Sequence, residues 1–413
     1  MPQRNTTTLC HNVIIAQNKY NNNEQKATWV RTGVRRASFM RVLILSVTAG
    51  YGHLSAAQAV AEELDSRNVT TRVLDLYEQT NTLLFNVIDK GYSFSIRHMP
   101  AGFGVFYRVL ETRSKKEQGG SINPIGVMNK LSSVRFVRFI KEFGPDCIVC
   151  THPLAAMVVS SLKMRGKIKI PAVGIVTDYT ILPYWEDCIA VEHIVIAHEL
   201  LSYRATKRGI APERLLPVGI PIKGKFSRSI PKEEARRQAG IPLDPPAVLV
   251  MSGSMGHGDL TTMTDDLMAI PMPLEIVVIC GRNEEAYHAL VARNGGLPNN
   301  GRLHVIGFTD QVDVLMDAVD CIITKPGGLS VSESLVKELP MVLVTPIPGQ
   351  EERNIDFLLN MGAALRASKT FSVTEAVHYL FGCPERMRLM QESIALIRKP
   401  NAAKDLADFI MGL

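Results

Sequence analysis

From residue 41 onward, short runs of continuous apolar residues alternate with segments whose apolar positions recur every three or four residues. The first run is residues 41–47, and the first helical spacing is residues 55–64. Apolar runs return at residues 72–76, 147–150, 172–176 and 194–197, with helical segments between. A run that is apolar throughout, rather than at alternate positions, suits a strand covered on both faces. The pattern therefore predicts an α/β chain built on parallel sheets.

The rhythm pauses at Gly219-Ile-Pro-Ile-Lys-Gly-Lys225 and over the proline- and charge-rich stretch up to Pro246. It restarts with five buried-strand runs at 247–252, 274–280, 303–306, 321–324 and 341–345. Two Rossmann-like halves joined near residue 225 are expected to face each other across a cleft, with ligands at the strands' C-terminal ends. The expected division is a leader over 1–39, an N-terminal half over 40–224, a C-terminal half over 225–385, and helices over 386–413 that pack back across the joint.

Composition narrows the class. The chain has 413 residues, 46% hydrophobic and 21% charged, which fits a globular protein of two or three domains and excludes fibrous or disordered chains. No apolar run reaches about 18 residues, the length a membrane span needs, and the first 30 residues lack the apolar core of a secretory signal. Seven scattered cysteines make no disulfide framework and read as reduced thiols of a cytosolic chain. Cys147 and Cys150 are spaced to point to opposite faces of a strand, which suits neither zinc nor a redox pair.

The net charge of +6 sits almost wholly in the leader, where six basic residues face one acid, Glu24. Nothing in the remainder asks for nucleic acid. The leader is rich in Asn, Thr and Gln and is expected to be disordered. Met40 then reads as the real start, with the leader an untranslated extension; a basic transit peptide is the rival reading.

Glycine-bearing loops follow four of the strand runs. Thr48-Ala-Gly-Tyr-Gly-His53 opens a helix, and Gly50 and Gly52 permit close backbone approach. His53 at that helix start would be held neutral by the dipole and able to accept a proton, or would be a helix-start histidine without chemistry. Ser252-Gly-Ser-Met-Gly256 and Cys280-Gly-Arg-Asn283 follow two strands of the second half. In Thr324-Lys-Pro-Gly-Gly-Leu-Ser-Val-Ser-Glu333 a strand turns through two glycines into a helix whose first N–H groups can cradle a diphosphate. Glu333 lies where it can accept ribose hydroxyls. After the last strand run, Pro346-Ile-Pro-Gly-Gln-Glu-Glu-Arg-Asn354 crowds amides and carboxylates suited to sugar hydroxyls, or to a solvated helix start.

The ordered set Tyr51-Gly-His53, Leu76-Tyr-Glu-Gln-Thr-Asn81, Val176-Thr-Asp-Tyr179, Val218-Gly-Ile-Pro-Ile222, Ile279-Cys-Gly-Arg-Asn283, Ile323-Thr-Lys-Pro-Gly-Gly328 and Pro348-Gly-Gln-Glu351 resembles the diacylglycerol glycosyltransferases related to monogalactosyldiacylglycerol synthase. Within them it resembles the processive diacylglycerol β-glucosyltransferases of Gram-positive bacteria. The resemblance spans residues 41–365 and extends to the lipid II N-acetylglucosaminyltransferase. It implies a GT-B fold, a UDP-sugar donor in the C-terminal half, a diacylglycerol acceptor in the N-terminal half, and inverting transfer with no required metal or cofactor.

Carried over by position, the resemblance puts Gly327, Gly328 and Ser330 by the diphosphate and Glu333 by the ribose. It puts Gly253, Arg282 and Phe308 near the nucleotide, and Gln350, Glu351 and Asn354 facing the sugar. His53 would deprotonate the lipid hydroxyl, with Asp178 the second candidate for that base or its orienting partner. Plant-type synthases carry three glycines before the histidine and a basic residue after it; Ala49-Gly50-Tyr51-Gly52 and Leu54 stand here, favouring the bacterial branch.

An acceptor or membrane face is expected from Gly50, Tyr51, Gly52, Phe94, Phe103, Phe106 and Arg108. Six aromatics lie between residues 85 and 107, interleaved with cations, a composition suited to an anionic lipid interface or to plain core. Lys130, Arg135, Arg138 and Lys141 would extend that face. The function expected is transfer of a hexose, glucose before galactose, to diacylglycerol or glycosyl-diacylglycerol at the cytoplasmic face of the membrane, by a peripheral enzyme. The rivals are a UDP-N-acetylglucosamine 2-epimerase and a non-catalytic UDP-sugar sensor.

Overall fold

A computed structural model of the chain describes residues 40–47, 51–76, 134–182, 184–251, 260–344, 346–347 and 349–413. The leader, the aromatic stretch with Phe94, Phe103, Phe106 and Arg108, Lys130, Gly50, Gly253 and the Tyr51 side chain lie outside the described residues.

The first half runs β1 (Arg41–Ser46), α1 (Tyr51–Asp65), β2 (Thr70–Asp75), α2 (Val134–Phe143), β3 (Cys147–Cys150), α3 (Pro153–Met164), β4 (Ala172–Ile175), β5 (His193–Val195), α4 (Ser202–Lys207) and β6 (Leu215–Leu216). Its six strands lie in the order β2-β1-β3-β4-β5-β6, every pair parallel. The second half runs α5 (Lys232–Ala239), β7 (Ala247–Met251), α6 (Leu260–Met268), β8 (Glu275–Ile279), α7 (Glu284–Arg293), β9 (Asn299–Asn300), β10 (Leu303–Ile306), α8 (Val312–Ala318), β11 (Cys321–Thr324), α9 (Gly328–Val336), β12 (Met341–Leu343), α10 (Gln350–Asn360) and β13 (Ala364–Arg366). The order β13-β12-β11-β7-β8-β10-β9 is parallel except for β9. Three helices close the chain: α11 (Val373–Gly382), α12 (Pro384–Ile397) and α13 (Ala402–Met411).

The central strands β3, β4, β7, β8 and β11 are buried at every position, as parallel strands between helical layers must be. Three strands had no counterpart among the expected runs. Two, β6 and β9, span two residues each, and β13 is three residues with Arg366 exposed. Such pieces carry too little apolar pattern to stand out.

Strand order reverses between β1 and β3 in the first sheet and between β7 and β11 in the second. At such a switch point the connections leave to opposite faces, and a crevice opens beyond the strands' C-terminal ends.

The C-terminal helix α13 packs on the first half, where Leu406, Ala407 and Ile410 join the apolar cluster of Val42, Ile44, Ala57, Val60 and Leu64. Arg67 pairs with Asp408 across that contact. At the joint, Gly219 has φ +102°, and a Cβ there would stand 2.5 Å from Lys399 Cβ. Glycine alone fits that backbone and that gap.

Candidate active site

The first switch point holds two histidines. His53 lies in the opening turn of α1, directly after β1. Thr151 and His152 follow β3, and the Thr151 N–H is anchored on Leu45 O of β1 at 3.0 Å. His53 Nδ1 is 2.7 Å from Thr151 O and 3.1 Å from Thr177 Oγ1. A carbonyl can only accept, so Nδ1 carries the hydrogen and Nε2 keeps a lone pair. Nε2 has no protein partner among the described residues. Burial lowers the His53 pKa, against the opposing pull of the Asp178 carboxylate and the Thr151 hydrogen bond. The direction is the one expected for a helix start, but its first cause is burial rather than the dipole.

Asp178, after β4, is differently placed. Its side chain is buried, with Oδ2 accepting from Gln350 Nε2 at 2.9 Å and Oδ1 from Asn354 Nδ2 at 3.0 Å. Both amides come from α10 of the other half. Burial raises the Asp178 pKa; the Asn354 bond, the His53 charge and the Gln350 bond pull it back.

Asn354 overturns an expectation. It is fully buried, its second amide hydrogen goes to Pro326 O at 2.8 Å, and its carbonyl accepts from Tyr179 N at 2.8 Å. With one N–H and the oxygen engaged across the halves and the other N–H on Pro326 O of its own half, it has no donor left for a sugar and does not face one. Gln350 likewise spends one amide hydrogen on Asp178.

The same seam continues around it. Tyr179 OH lies 2.9 Å from Ser332 Oγ, which donates to Gly328 O at 2.7 Å. A Cβ on Gly328 would stand 1.8 Å from Thr177 O, so glycine there is what lets the halves touch. Gly52 approaches Leu329 in the same way, more loosely, at 3.4 Å.

The second switch point opens at Gly327 and the N-terminus of α9. Its N-cap, Gly327, brings no capping side chain, so among the described residues its first-turn N–H groups have no capping partner. Ser330 lies in that turn, half-buried. Glu351 Oε1 is 3.8 Å from the position a Cβ would take on Gly327, and Glu351 Oε2 accepts from Ile347 N at 2.6 Å. Burial raises the Glu351 pKa and lowers that of Lys325, each tempered by the other's charge. Glu333 is pushed up to about 8 by burial, against the pull of Lys225 and Lys223. Beyond the ends of β8 and β10, the Arg282 guanidinium stands 5.6 Å from the Phe308 ring, which is 70% exposed.

The site thus unites His53, Asp178, Gln350, Glu351 and Gly327–Gly328, while Arg282 and Phe308 stand together beyond the ends of β8 and β10. Sequence reasoning passed over His152, Thr177, Tyr179 and Ser332 as site residues. His152 was the most accessible of these, since Thr-His-Pro at a strand's C-terminal end is a helix start with proline at its first position. Away from the cleft, α2 buries Phe136 and Ile140 and exposes Arg135, Arg138 and Lys141.

The sequence model of the monogalactosyldiacylglycerol (MGDG) synthase family matches residues 53–222. A processive diacylglycerol β-glucosyltransferase of Bacillus subtilis is 26% identical over 379 residues, 90% of this chain and 94% of that protein. The chloroplastic monogalactosyldiacylglycerol synthase of Spinacia oleracea is 28% identical over 88% of this chain and 70% of its own length. The similarity read from the ordered motifs is therefore borne out.

Among solved structures, Acinetobacter baumannii MurG superposes with a TM-score of 0.60 at 19% identity, covering 91% of this chain and all of its own. The UDP-GlcNAc 2-epimerase of Neisseria meningitidis gives 0.55 at 14%, covering 89% and 98%. At these identities the likeness is one of fold: two Rossmann-like halves in the GT-B arrangement.

Proposed function

We propose that the chain is an inverting glycosyltransferase that moves a hexose from a UDP-sugar to diacylglycerol or glycosyl-diacylglycerol, making membrane glycolipid. The observation that carries this reading is His53. It stands at the switch point of the first half with Nδ1 fastened and, among the described residues, no partner on Nε2, opposite the helix that Gly327 starts in the second half. The similarity to diacylglycerol glucosyltransferases over nine-tenths of the chain supplies the substrate class. Glucose is the donor sugar we favour over galactose.

In this reading His53 Nε2 takes the proton of the acceptor hydroxyl as its oxygen attacks the anomeric carbon. The bond from that carbon to the UDP oxygen breaks on the opposite face, which inverts the configuration in one displacement. The N–H groups of Gly328, Leu329 and Ser330 meet the charge of the departing diphosphate. Glu333 accepts ribose hydroxyls, Arg282 and Phe308 flank the base, and Glu351 with Gln350 orients the sugar. Asp178 stabilises the imidazolium through space, and no cofactor is needed.

The enzyme would act peripherally, at the cytoplasmic face of an anionic membrane. The outward Arg135, Arg138 and Lys141 support that, and among the described residues no helix is long and apolar enough to cross a membrane.

The test is to incubate purified protein with diacylglycerol in anionic vesicles and UDP-glucose or UDP-galactose, and to read products by mass spectrometry. Glucosyl-diacylglycerol is expected. UDP binding without glycolipid from either donor would remove the lipid acceptor and bring the epimerase forward.

A further inference from the structure

His152 has no part in the chemistry just described, yet its ring centroid is 4.6 Å from that of His53, with the planes 78° apart. An edge-to-face pair at this distance is a favourable packing arrangement for two neutral rings. Its own protonation is fixed locally. His152 is the N-cap of α3, and its Nδ1 accepts the Leu154 N–H at 3.0 Å. The hydrogen of the neutral ring therefore sits on Nε2.

Adding a second proton at Nδ1 would cost the cap bond and put a cation at a helix N-terminus, where the dipole disfavours it. Burial, and then the nearby His53, hold the His152 pKa well below the ordinary histidine value. The cap bond and burial therefore both favour the uncharged His152 ring.

One dipeptide serves the base twice over. The Thr151 carbonyl sets the His53 tautomer, and the next side chain covers the His53 ring. Among the described residues, the groups that face His53 are this carbonyl, the Thr177 hydroxyl, the His152 ring and, through space, the Asp178 carboxylate. Of these, His152 is the group that lays a ring against the His53 ring.

We propose that His152 is a positioning residue for the base: an imidazole held in place by its cap bond that packs against His53 and keeps it dry. The proposal rests on the reading of His53 as the base. A dry base is neutral, and so competent, further into the acid range than an exposed histidine. When His53 takes the acceptor's proton, the new charge meets the Asp178 carboxylate.

The experiment uses the full chain as wild type, His152→Asn, His152→Phe and His53→Ala. Two readouts are taken: the His53 titration midpoint by NMR of histidine-labelled protein, and kcat and KM for UDP-glucose against pH with diacylglycerol vesicles. Asparagine can still cap Leu154 but removes the ring. In His152→Asn the His53 midpoint is expected to rise toward about 6.5, the ordinary value. The acid limb of kcat/KM should follow it, with kcat down several-fold and KM little changed. His152→Phe keeps the ring and loses the cap, so the midpoint should stay near wild type while the melting temperature falls. A His53 midpoint unmoved in His152→Asn overturns the proposal. Full activity in His53→Ala would instead remove the base assignment on which it stands, so the two failures are told apart.

Discussion

Two corners of the cleft are built on opposite principles. At His53 one nitrogen is fastened and the other has no protein partner among the described residues. At Asp178 both oxygens are fastened, by amides that cross from the other half. A base needs a lone pair that substrate can reach, which His53 has and Asp178 lacks. Asp178 instead joins the halves and lends its charge to the imidazole at a distance. Residues that look interchangeable as bases in sequence are separated by which of their atoms the fold has already engaged.

The comparison can be broken most severely at Gly328. In Gly328→Ala the new methyl would meet the Thr177 carbonyl at 1.8 Å, a distance no side-chain rotation relieves. Overpacking of this kind costs about 1–3 kcal/mol where the structure can shift, and here the shift parts the halves. Glycolipid synthesis is expected to vanish while UDP binding to the second half survives. Normal turnover in this variant would mean that the seam is not needed closed.

A second test concerns Glu333, whose carboxyl burial pushes up to about 8. A raised carboxyl pKa means that the folded chain holds a proton the unfolded one sheds, so its contribution to stability is lost as pH rises from about 4.5 to about 8. A carboxylate that accepts ribose hydroxyls must be ionised, so UDP affinity should rise between pH 7 and 9. In Glu333→Gln both slopes should flatten, as read by calorimetry and thermal melts. A wild-type affinity flat over that range would remove Glu333 from the ribose.

The smallest effect is expected at Tyr179→Phe. It removes the hydroxyl that meets Ser332 across the seam but leaves the ring against Phe357, 5.2 Å between centroids. A loss of about 1 kcal/mol in stability is expected, with activity nearly retained. A loss comparable to that of Gly328→Ala would show that the seam depends on this one hydroxyl.

Much of this was legible in the chain itself, for a physical reason. Buried parallel strands are unbroken apolar runs, so β1, β3, β7, β8 and β11 stand out, and the two glycines after β11 mark the cleft. His53 is visible because it ends a glycine-bearing loop. His152 is not, because its meaning comes from a ring 99 residues earlier in the chain and from a cap bond that only the fold reveals. Asn354 misled for a related reason. An amide in a polar loop looks available for hydroxyls until its partners, Asp178, Tyr179 and Pro326, are seen to surround it. Local pattern reports which side chains can do chemistry; only packing reports which are left free to do it.

The central claim is that His53, and not Asp178, is the base. It is tested most directly by comparing His53→Ala with Asp178→Asn in the vesicle assay at saturating UDP-glucose. The account predicts that His53→Ala loses about 10²–10⁴ in kcat with UDP binding unchanged, whereas Asp178→Asn still turns over, with its acid limb moved to lower pH because the charge that raises the His53 pKa is gone. Near-normal turnover in His53→Ala, with none in Asp178→Asn, would contradict it.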